Sequence, residues 1–243
     1  MKADVRKQVN HPGAVRNALS VPDSKALEIV EGLQKAIFEH RIRPDTKLSE
    51  DEVGEIYGVS RTIVRSALQS LAHSQLVTIE KHRGAFVASP SVREAHEVFE
   101  ARGLVEPRVA AMAADRIDED GTARLRKHLA DEQAALASGD KGVALSLSGT
   151  FHLEIAAIAD HEIFTGFVRS LVARSSLIIA LYWRRPDTTC ESHSHHALVD
   201  ALARQDASSA EEIMQSHIVD LHSGLDLSAG EKAPTSLSDA LKA

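Results

Sequence analysis

Hydrophobic positions in the first third of the chain recur with a helical period and then change to alternation. From Ser24, apolar residues at three- and four-residue spacing form one stripe, which predicts an amphipathic helix. The stripe consists of Leu27, Val30, Leu33, Ile37 and Phe38. An S-x-x-E capping box starts a short helix over 49–57, and Ser60 is predicted as the N-cap of a third helix that reaches Ser74. Residues 75–89 alternate around a Lys-His-Arg-Gly sequence and predict a β-hairpin.

The remainder of the chain, to about residue 223, has helical periodicity interrupted by short Gly, Asp and Pro sequences. Three short helices followed by a hairpin are typical of a winged helix-turn-helix. We therefore predict a mainly α fold, with an N-terminal winged helix-turn-helix and a C-terminal all-helical bundle. The predicted divisions are a flexible arm (1–24), a DNA-binding domain (25–88), a helical effector-binding and dimerisation domain (89–223) and a flexible tail (224–243).

Charge is distributed unevenly between these parts. The chain has 243 residues and a formal net charge of −7, which argues against a uniformly basic nucleic-acid binder. Residues 25–88 contain nine basic and nine acidic side chains, so this part is neutral overall. No continuous apolar run approaches a membrane span, no secretory signal is evident, and the single cysteine, Cys190, has no internal disulfide partner. We therefore expect a cytoplasmic protein without a membrane partner.

The start of the third predicted helix carries the clearest candidate chemistry. Arg61 and Arg65 are one helical turn apart and project to the same side. In a helix-turn-helix this part of the second helix enters the major groove, where an arginine fork can bind phosphate or the edge of guanine. Ser60 and Thr62 lie beside them in the sequence. The alternative is a solvated helix face whose arginines have no particular role.

The sequence LSEDEVGEIYGVSRTIVRSALQSLAHSQLVTIEKHRGAFV closely resembles the DNA-binding domain of the GntR family of bacterial transcription regulators. The resemblance extends from Leu27 to Val87. It implies that Arg61 and Arg65 contact operator DNA. The residues that it assigns to a supporting role are Ser60, Thr62 and the wing residues Arg83 and Gly84. Members of the family usually have Gly at positions 41 and 45 and Ala at position 54, where this chain has Arg, Asp and Gly.

Several histidines in the predicted bundle are candidates for metal ligands. Imidazoles from separate helices can converge on a divalent ion, although a single histidine is more often a surface or core residue. Residues 92–223 resemble the helical FCD domain of FadR-type GntR regulators, many of which bind a metal through one Asp and three His. By this resemblance the three histidines are His152, His195 and His217, and the carboxylate position is Ser148. His193 and His196 are weaker alternates.

Two outcomes follow for this predicted site. Either three histidines bind zinc or nickel, with water or an acidic effector completing the coordination, or the site is now only a polar pocket. By resemblance, Arg102 points into the same cavity, where it could clamp an effector carboxylate near Ser148. The alternative for Arg102 is a salt bridge with Glu106.

We expect a ligand-responsive, homodimeric regulator that binds a palindromic double-stranded operator and senses a small carboxylic acid. A DNA-binding dimer with a purely structural back domain is the alternative. A metal hydrolase or deaminase is disfavoured, because the H-x-E sequence at His152 lacks its P-C-x-x-C companion. The chain also lacks the common nucleophile and phosphate-binding motifs, so no catalytic residue is predicted.

Overall fold

The computed structural model describes residues 24–184 and 189–228, with side chains omitted for 189–192. Most of the predicted N-terminal arm and most of the predicted tail lie outside these residues. Within the described residues the elements are, in chain order, α1 (Ser24–Phe38), β1 (Lys47–Leu48), α2 (Glu50–Tyr57), α3 (Arg61–His73), β2 (Val77–Glu80), β3 (Gly84–Val87), α4 (Val92–Ala114), α5 (Glu119–Ala137), α6 (Lys141–Ile158), α7 (Glu162–Tyr182), α8 (Thr189–Ala203) and α9 (Ala207–Ser223).

The fold class predicted from the sequence is confirmed. Helices α1–α3 and a small antiparallel sheet form a winged helix-turn-helix, and α4–α9 form a helical bundle. The β2–β3 hairpin is present, with Val77 opposite Val87. The sheet has a third strand that the sequence analysis missed, because β1 is only two residues long and too short to show alternation. Its Lys47 pairs with Phe86, which gives the strand order β1-β3-β2.

Local capping fixes the tight connection between α2 and α3. The Ser49 hydroxyl accepts a hydrogen bond from the backbone N–H of Glu52 at 3.4 Å, as the sequence predicts. Gly58 ends α2 in the left-handed conformation, with φ of 63°, which glycine adopts without steric cost. Ser60 occupies the N-cap position of α3, but its side chain makes no capping hydrogen bond. The predicted N-cap position of Ser60 is therefore confirmed, and its exposed side chain makes no capping hydrogen bond there.

The buried face of α1 is rotated slightly from the predicted stripe. Leu27 is 48% exposed, and Val30 and Phe38 are only partly buried. The residues that α1 buries completely or nearly so are Ala26, Ile29, Leu33, Ala36 and Ile37. The small side chains on this face let α1 approach α3 closely, so alanine positions that periodicity treats as neutral become part of the core.

Helix α7 connects the two parts of the molecule. Its Val172 and Ile178 belong to the core of the bundle, whereas Ala173 and Leu177 belong to the core of the winged helix-turn-helix. By length and composition α7 could cross a membrane, with a mean hydropathy of 1.5. Burial against two cores accounts for part of that apolar composition, because 33% of the apolar window is buried. The sequence analysis expected no segment with the length and composition of a membrane span, and α7 has both.

Replacing Gly58 by alanine tests the left-handed cap. An added Cβ meets no atom within 4 Å, so the cost is conformational, and we expect a destabilisation of about 1–2 kcal/mol. Gly166 is a matched control, because it also has open space but lies inside α7. Gly166→Ala should stabilise by about 0.5–1 kcal/mol. Urea unfolding followed by circular dichroism measures both changes, and shifts of the same sign would contradict this account.

Candidate functional sites

The first candidate site is the exposed N-terminal turn of α3. Ser60, Arg61, Thr62 and Arg65 are all exposed, with 68% of the Arg61 side chain and 61% of the Arg65 side chain accessible. The inward positions of the same helix, among them Val64 and Leu68, are buried and anchor it on α1 and α2. The amphipathic pattern of α3 therefore presents both arginines on an open surface.

Both arginines have acidic partners on α2 that the sequence analysis did not identify. Arg61 Nε lies 2.5 Å from Asp51 Oδ1. Arg65 donates two hydrogen bonds to the Glu50 carboxylate, at 2.9 and 2.6 Å, which lower the pKa of Glu50. Because exposed ion pairs are weak and exchange readily, these guanidinium groups can move from the carboxylates to phosphates.

The wing presents a second basic group next to a strained turn. Arg83 pairs with Glu80, and its guanidinium lies 5.2 Å from the centre of the Phe86 ring. Gly84 has φ of 102°, a conformation that L residues rarely adopt, so glycine is required at this position. Both wing residues are exposed, and the side chain of Arg83 is held at the strand end by its two neighbours.

The second candidate site lies inside the bundle, where the structure brings the three predicted histidines together. His152 is on α6, His195 on α8 and His217 on α9, and all three are buried. Nε2 of His217 lies 3.2 Å from Nε2 of His195 and 3.4 Å from Nε2 of His152. The three ligand nitrogens lie within 4.8 Å of one another, a grouping that could hold a metal ion. His196, in contrast, is exposed and contacts Gln133.

Two buried carboxylates, which the sequence analysis missed as members of this site, orient the rings. Glu106 Oε2 lies 2.5 Å from Nδ1 of His152, and Glu132 Oε2 lies 3.1 Å from Nδ1 of His195. Nδ1 of His195 donates a hydrogen bond to Glu132, which leaves the lone pair on Nε2 free. Glu106 lies at ion-pair distance from Nδ1 of His152, but this contact lacks hydrogen-bond geometry. A signal for Glu132 was present in the sequence, since it interrupts the apolar stripe of Leu125 and Leu129 on α5.

Burial favours the neutral form of two of the three imidazoles, His152 and His217. Burial lowers the pKa of His152 although Glu106 opposes the shift, and burial together with the neighbouring histidines lowers the pKa of His217 well below its usual value. Glu106 behaves in the opposite way. Burial alone would raise its pKa, but Arg102 and His152 outweigh burial and lower the pKa to about 2. The pKa shifts of these three residues therefore favour an ionised Glu106 beside neutral His152 and His217, and metal binding requires neutral imidazole ligands.

Arg102 makes the salt bridge that its i+4 spacing allowed. Its Nε lies 2.5 Å from Glu106 Oε1, and a second guanidinium nitrogen donates to Ser175 Oγ at 3.1 Å. Arg102 and Ser148 also line one small cavity of about 30 Å³, together with His152. The structure therefore brings both predicted effector residues to a space beside the histidine cluster. That space has room for only one or two water molecules.

Comparison with known families identifies the two parts. Residues 25–87 match the model described as bacterial regulatory proteins, gntR family, and residues 97–220 match the FCD domain. The chain belongs to the GntR family. Members of this family with an FCD domain are transcription regulators, so this GntR protein is a DNA-binding transcription regulator and not an enzyme.

Several known proteins are similar to this chain. The HTH-type transcriptional repressor RspR of Escherichia coli K12 is 26% identical over 197 residues, which cover 80% of this chain and 86% of RspR. The structure of E. coli McbR/YncC has a TM-score of 0.71 at 21% identity and covers 83% of this chain and 98% of its own. A GntR transcriptional regulator from Rhodococcus sp. RHA1 has a TM-score of 0.69 at 23% identity, with coverages of 83% and 97%. The two structures share the fold of this GntR protein.

The buried histidines predict that this GntR protein loses stability in mild acid. In the unfolded chain they take up protons near pH 6.5, whereas burial lowers the folded pKa of His40 to about 4 and also lowers those of His152 and His217. Below about pH 6.5 the unfolded state therefore binds more protons than the folded state. The free energy of unfolding decreases as the pH is lowered through this range. Each such histidine contributes up to about 1.4 kcal/mol per pH unit in this window.

Urea unfolding in EDTA at about pH 7, 6 and 5 measures this slope. His40→Asn should flatten it, whereas His73→Asn, at an exposed position of α3, should leave it as in the wild type. A slope that does not depend on His40 would contradict the assignment.

Proposed function

We propose that this GntR regulator acts in the bacterial cytoplasm as a homodimer, which binds a palindromic operator through α3 and the wing. It senses a small carboxylate at a metal site in its FCD domain. The observation that carries the proposal is the pairing of an exposed arginine surface on the DNA-binding domain with a buried three-histidine cluster in the helical domain.

The exposed groups of α3 support direct contact with DNA. Arg61 and Arg65 are accessible and weakly paired, and Ser60 and Thr62 are exposed beside them. A guanidinium in this position can bind the O6/N7 edge of guanine, and the hydroxyls can bind phosphate. Arg83 and Gly84 are exposed on the wing, where the backbone could approach an adjacent groove. Homodimerisation follows from the proposal, because two such helices about 34 Å apart reach successive turns of a palindrome.

The geometry of the histidine cluster supports a zinc or nickel ion. Nitrogens bound at about 2.0–2.1 Å in a tetrahedral zinc site are about 3.4 Å apart, close to the Nε2 separations of 3.2 and 3.4 Å. Carboxylates behind the ligand rings are typical of metal sites, and here Glu106 and Glu132 occupy those positions. His152, His195 and His217 would hold the ion, which would supply a Lewis-acidic open position for an oxygen ligand.

Charge supports a carboxylate as the effector. Glu106 and Glu132 together with Arg102 leave one net negative charge among the buried groups. A divalent ion would convert this to one net positive charge, which a monocarboxylate would balance. Ser148 and Arg102 line the adjoining cavity, so an effector that binds the ion would also meet the hydroxyl and the guanidinium. Because Ser148 is neutral where related domains have an Asp ligand, the effector carboxylate would supply the charged ligand.

One observation favours the alternative of a back domain that only dimerises. Arg102 is already paired with Glu106, and the cavity is smaller than a typical ligand pocket. Under this alternative no carboxylate changes the affinity for operator DNA.

Removal of either recognition arginine tests the DNA contact. We expect Arg61→Ala and Arg65→Ala to remain folded, because their ion pairs are exposed, and to lose at least about tenfold in operator affinity. Arg93→Ala is the control, since Arg93 is also exposed and paired, with Glu97 at i+4 on α4. Gel-shift titration uses an operator selected from random duplex DNA by the wild-type protein. Equal affinities for all four proteins would refute the proposed interface.

Metal analysis tests the histidine cluster. After zinc loading and dialysis we expect about one ion per chain in the wild type and in His196→Ala, and almost none in His195→Ala. Glu132→Gln should weaken zinc affinity by about 10–100-fold, measured by competition with a chelating dye, because the ring of His195 loses its charged partner. A wild-type protein that retains no zinc after this treatment would leave only a polar pocket.

A further inference from the structure

We propose that His40, which belongs to the DNA-binding domain, closes the effector cavity of the FCD domain and is displaced when a carboxylate larger than formate enters. This inference rests on the proposed effector function of the cavity. It assigns to one side chain the coupling between ligand binding and the position of the DNA-binding domain.

His40 spans the boundary between the two domains. It lies in the turn after α1, with φ of 55°, and it is half-buried. Its Nε2 lies 3.1 Å from the backbone carbonyl oxygen of Ser176 on α7. Because a carbonyl only accepts, Nε2 carries the hydrogen in this contact, and the neutral ring keeps a lone pair on Nδ1.

The same ring forms part of the cavity wall. Arg102, Ser148, His152 and Ser175 line this space from α4, α6 and α7. Among the described residues that line it, His40 is the one contributed by the DNA-binding domain. A ligand in the cavity therefore contacts both domains at once.

Close packing transmits the position of this turn to the DNA-binding domain. A Cβ at Gly142, in the first turn of α6, would collide with the carbonyl oxygen of Glu39, so the backbones of α6 and the α1 end are in contact. Leu177 of α7 is buried in the core of the DNA-binding domain. Since α1 also packs on α3, movement at the end of α1 changes where α3 is presented.

The small size of the cavity requires one lining residue to move when a larger ligand binds, and we infer that this residue is His40. The cavity of about 30 Å³ accepts one or two waters or a ligand as small as formate. The other lining residues lie on helices held by the bundle core, and Arg102 is fixed by two partners. The ring of His40 makes one hydrogen bond, to a carbonyl oxygen, and it lies on a non-helical turn whose backbone is hydrogen-bonded to α1. A larger carboxylate therefore binds better to the state with His40 displaced, and this difference in affinity is the coupling.

His40→Asn separates coupling from a structural role. Asparagine tolerates positive φ, so the turn is retained, but its side chain is too short to fill the cavity. We expect the variant to bind larger carboxylates more tightly, because no wall has to move, and to lose their effect on DNA binding. A residue with only a structural role would weaken ligand binding when replaced. His40→Gly, which also suits positive φ, repeats the measurement without a side chain.

The experiment uses zinc-loaded, full-length protein and four probes: formate, acetate, pyruvate and citrate. Calorimetry gives the affinity for each probe, and gel shift gives the operator affinity with and without it. Asp160→Asn is the control, because Asp160 also has positive φ but is exposed and outside the cavity. In the wild type and the control, at least one probe larger than formate should change operator affinity by about tenfold, and formate by less than about twofold. In His40→Asn that probe should bind about fivefold more tightly and change operator affinity less than about twofold.

The outcomes distinguish this inference from the proposed function. A probe that binds and changes operator affinity equally in the wild type and in both His40 variants overturns the role of His40 and leaves the effector function intact. If none of the probes binds the wild type, or if binding never alters operator affinity, the effector function fails and the inference fails with it.

Discussion

The buried chain of Arg102, Glu106 and His152 is the constraint on which the helical domain depends. Two charged groups in an apolar core are tolerated only when each has a partner, and removal of one partner leaves an uncompensated charge. Arg102 neutralises Glu106, Glu106 orients His152, and His152 then faces His217. This sequence of contacts joins α4, α6 and α9, so packing of the bundle and preparation of the candidate metal site arise from the same interactions.

The two domains are connected by helix α7, which packs into both hydrophobic cores, as well as by the covalent linker. Leu177 of α7 is buried in the core of the DNA-binding domain, and Ser175 of α7 accepts a hydrogen bond from Arg102. A rearrangement around Arg102 therefore has a short physical path to the DNA-binding domain through one rigid helix. Such a path is useful for regulation only if it has two arrangements, and the non-helical turn at His40 is the place where a second arrangement requires least disruption.

Much of this architecture was predictable because the front domain carries local signals. Gly58, the hairpin and the arginines of α3 depend on neighbours within a few residues, so the sequence shows them directly. The three histidines could be named only through a resemblance, since they come from three separate helices. Glu106 and Glu132 were missed as ring partners for the same reason: the contacts with His152 and His195 span 46 and 63 residues.

If Arg61 and Arg65 contact the operator as proposed, their acidic partners explain how a protein with net negative charge can still select DNA. In the free protein Glu50 and Asp51 lie beside the guanidinium groups of Arg65 and Arg61 at the surface. Non-specific phosphate binding must compete with these pairs, which lowers the general electrostatic attraction that a bare basic patch would have. A base edge that accepts two hydrogen bonds from a correctly oriented fork compensates for the lost pair more fully than a single phosphate oxygen does. In the proposed interface the carboxylates would reduce affinity for DNA in general and would favour sequences that present the matching acceptors.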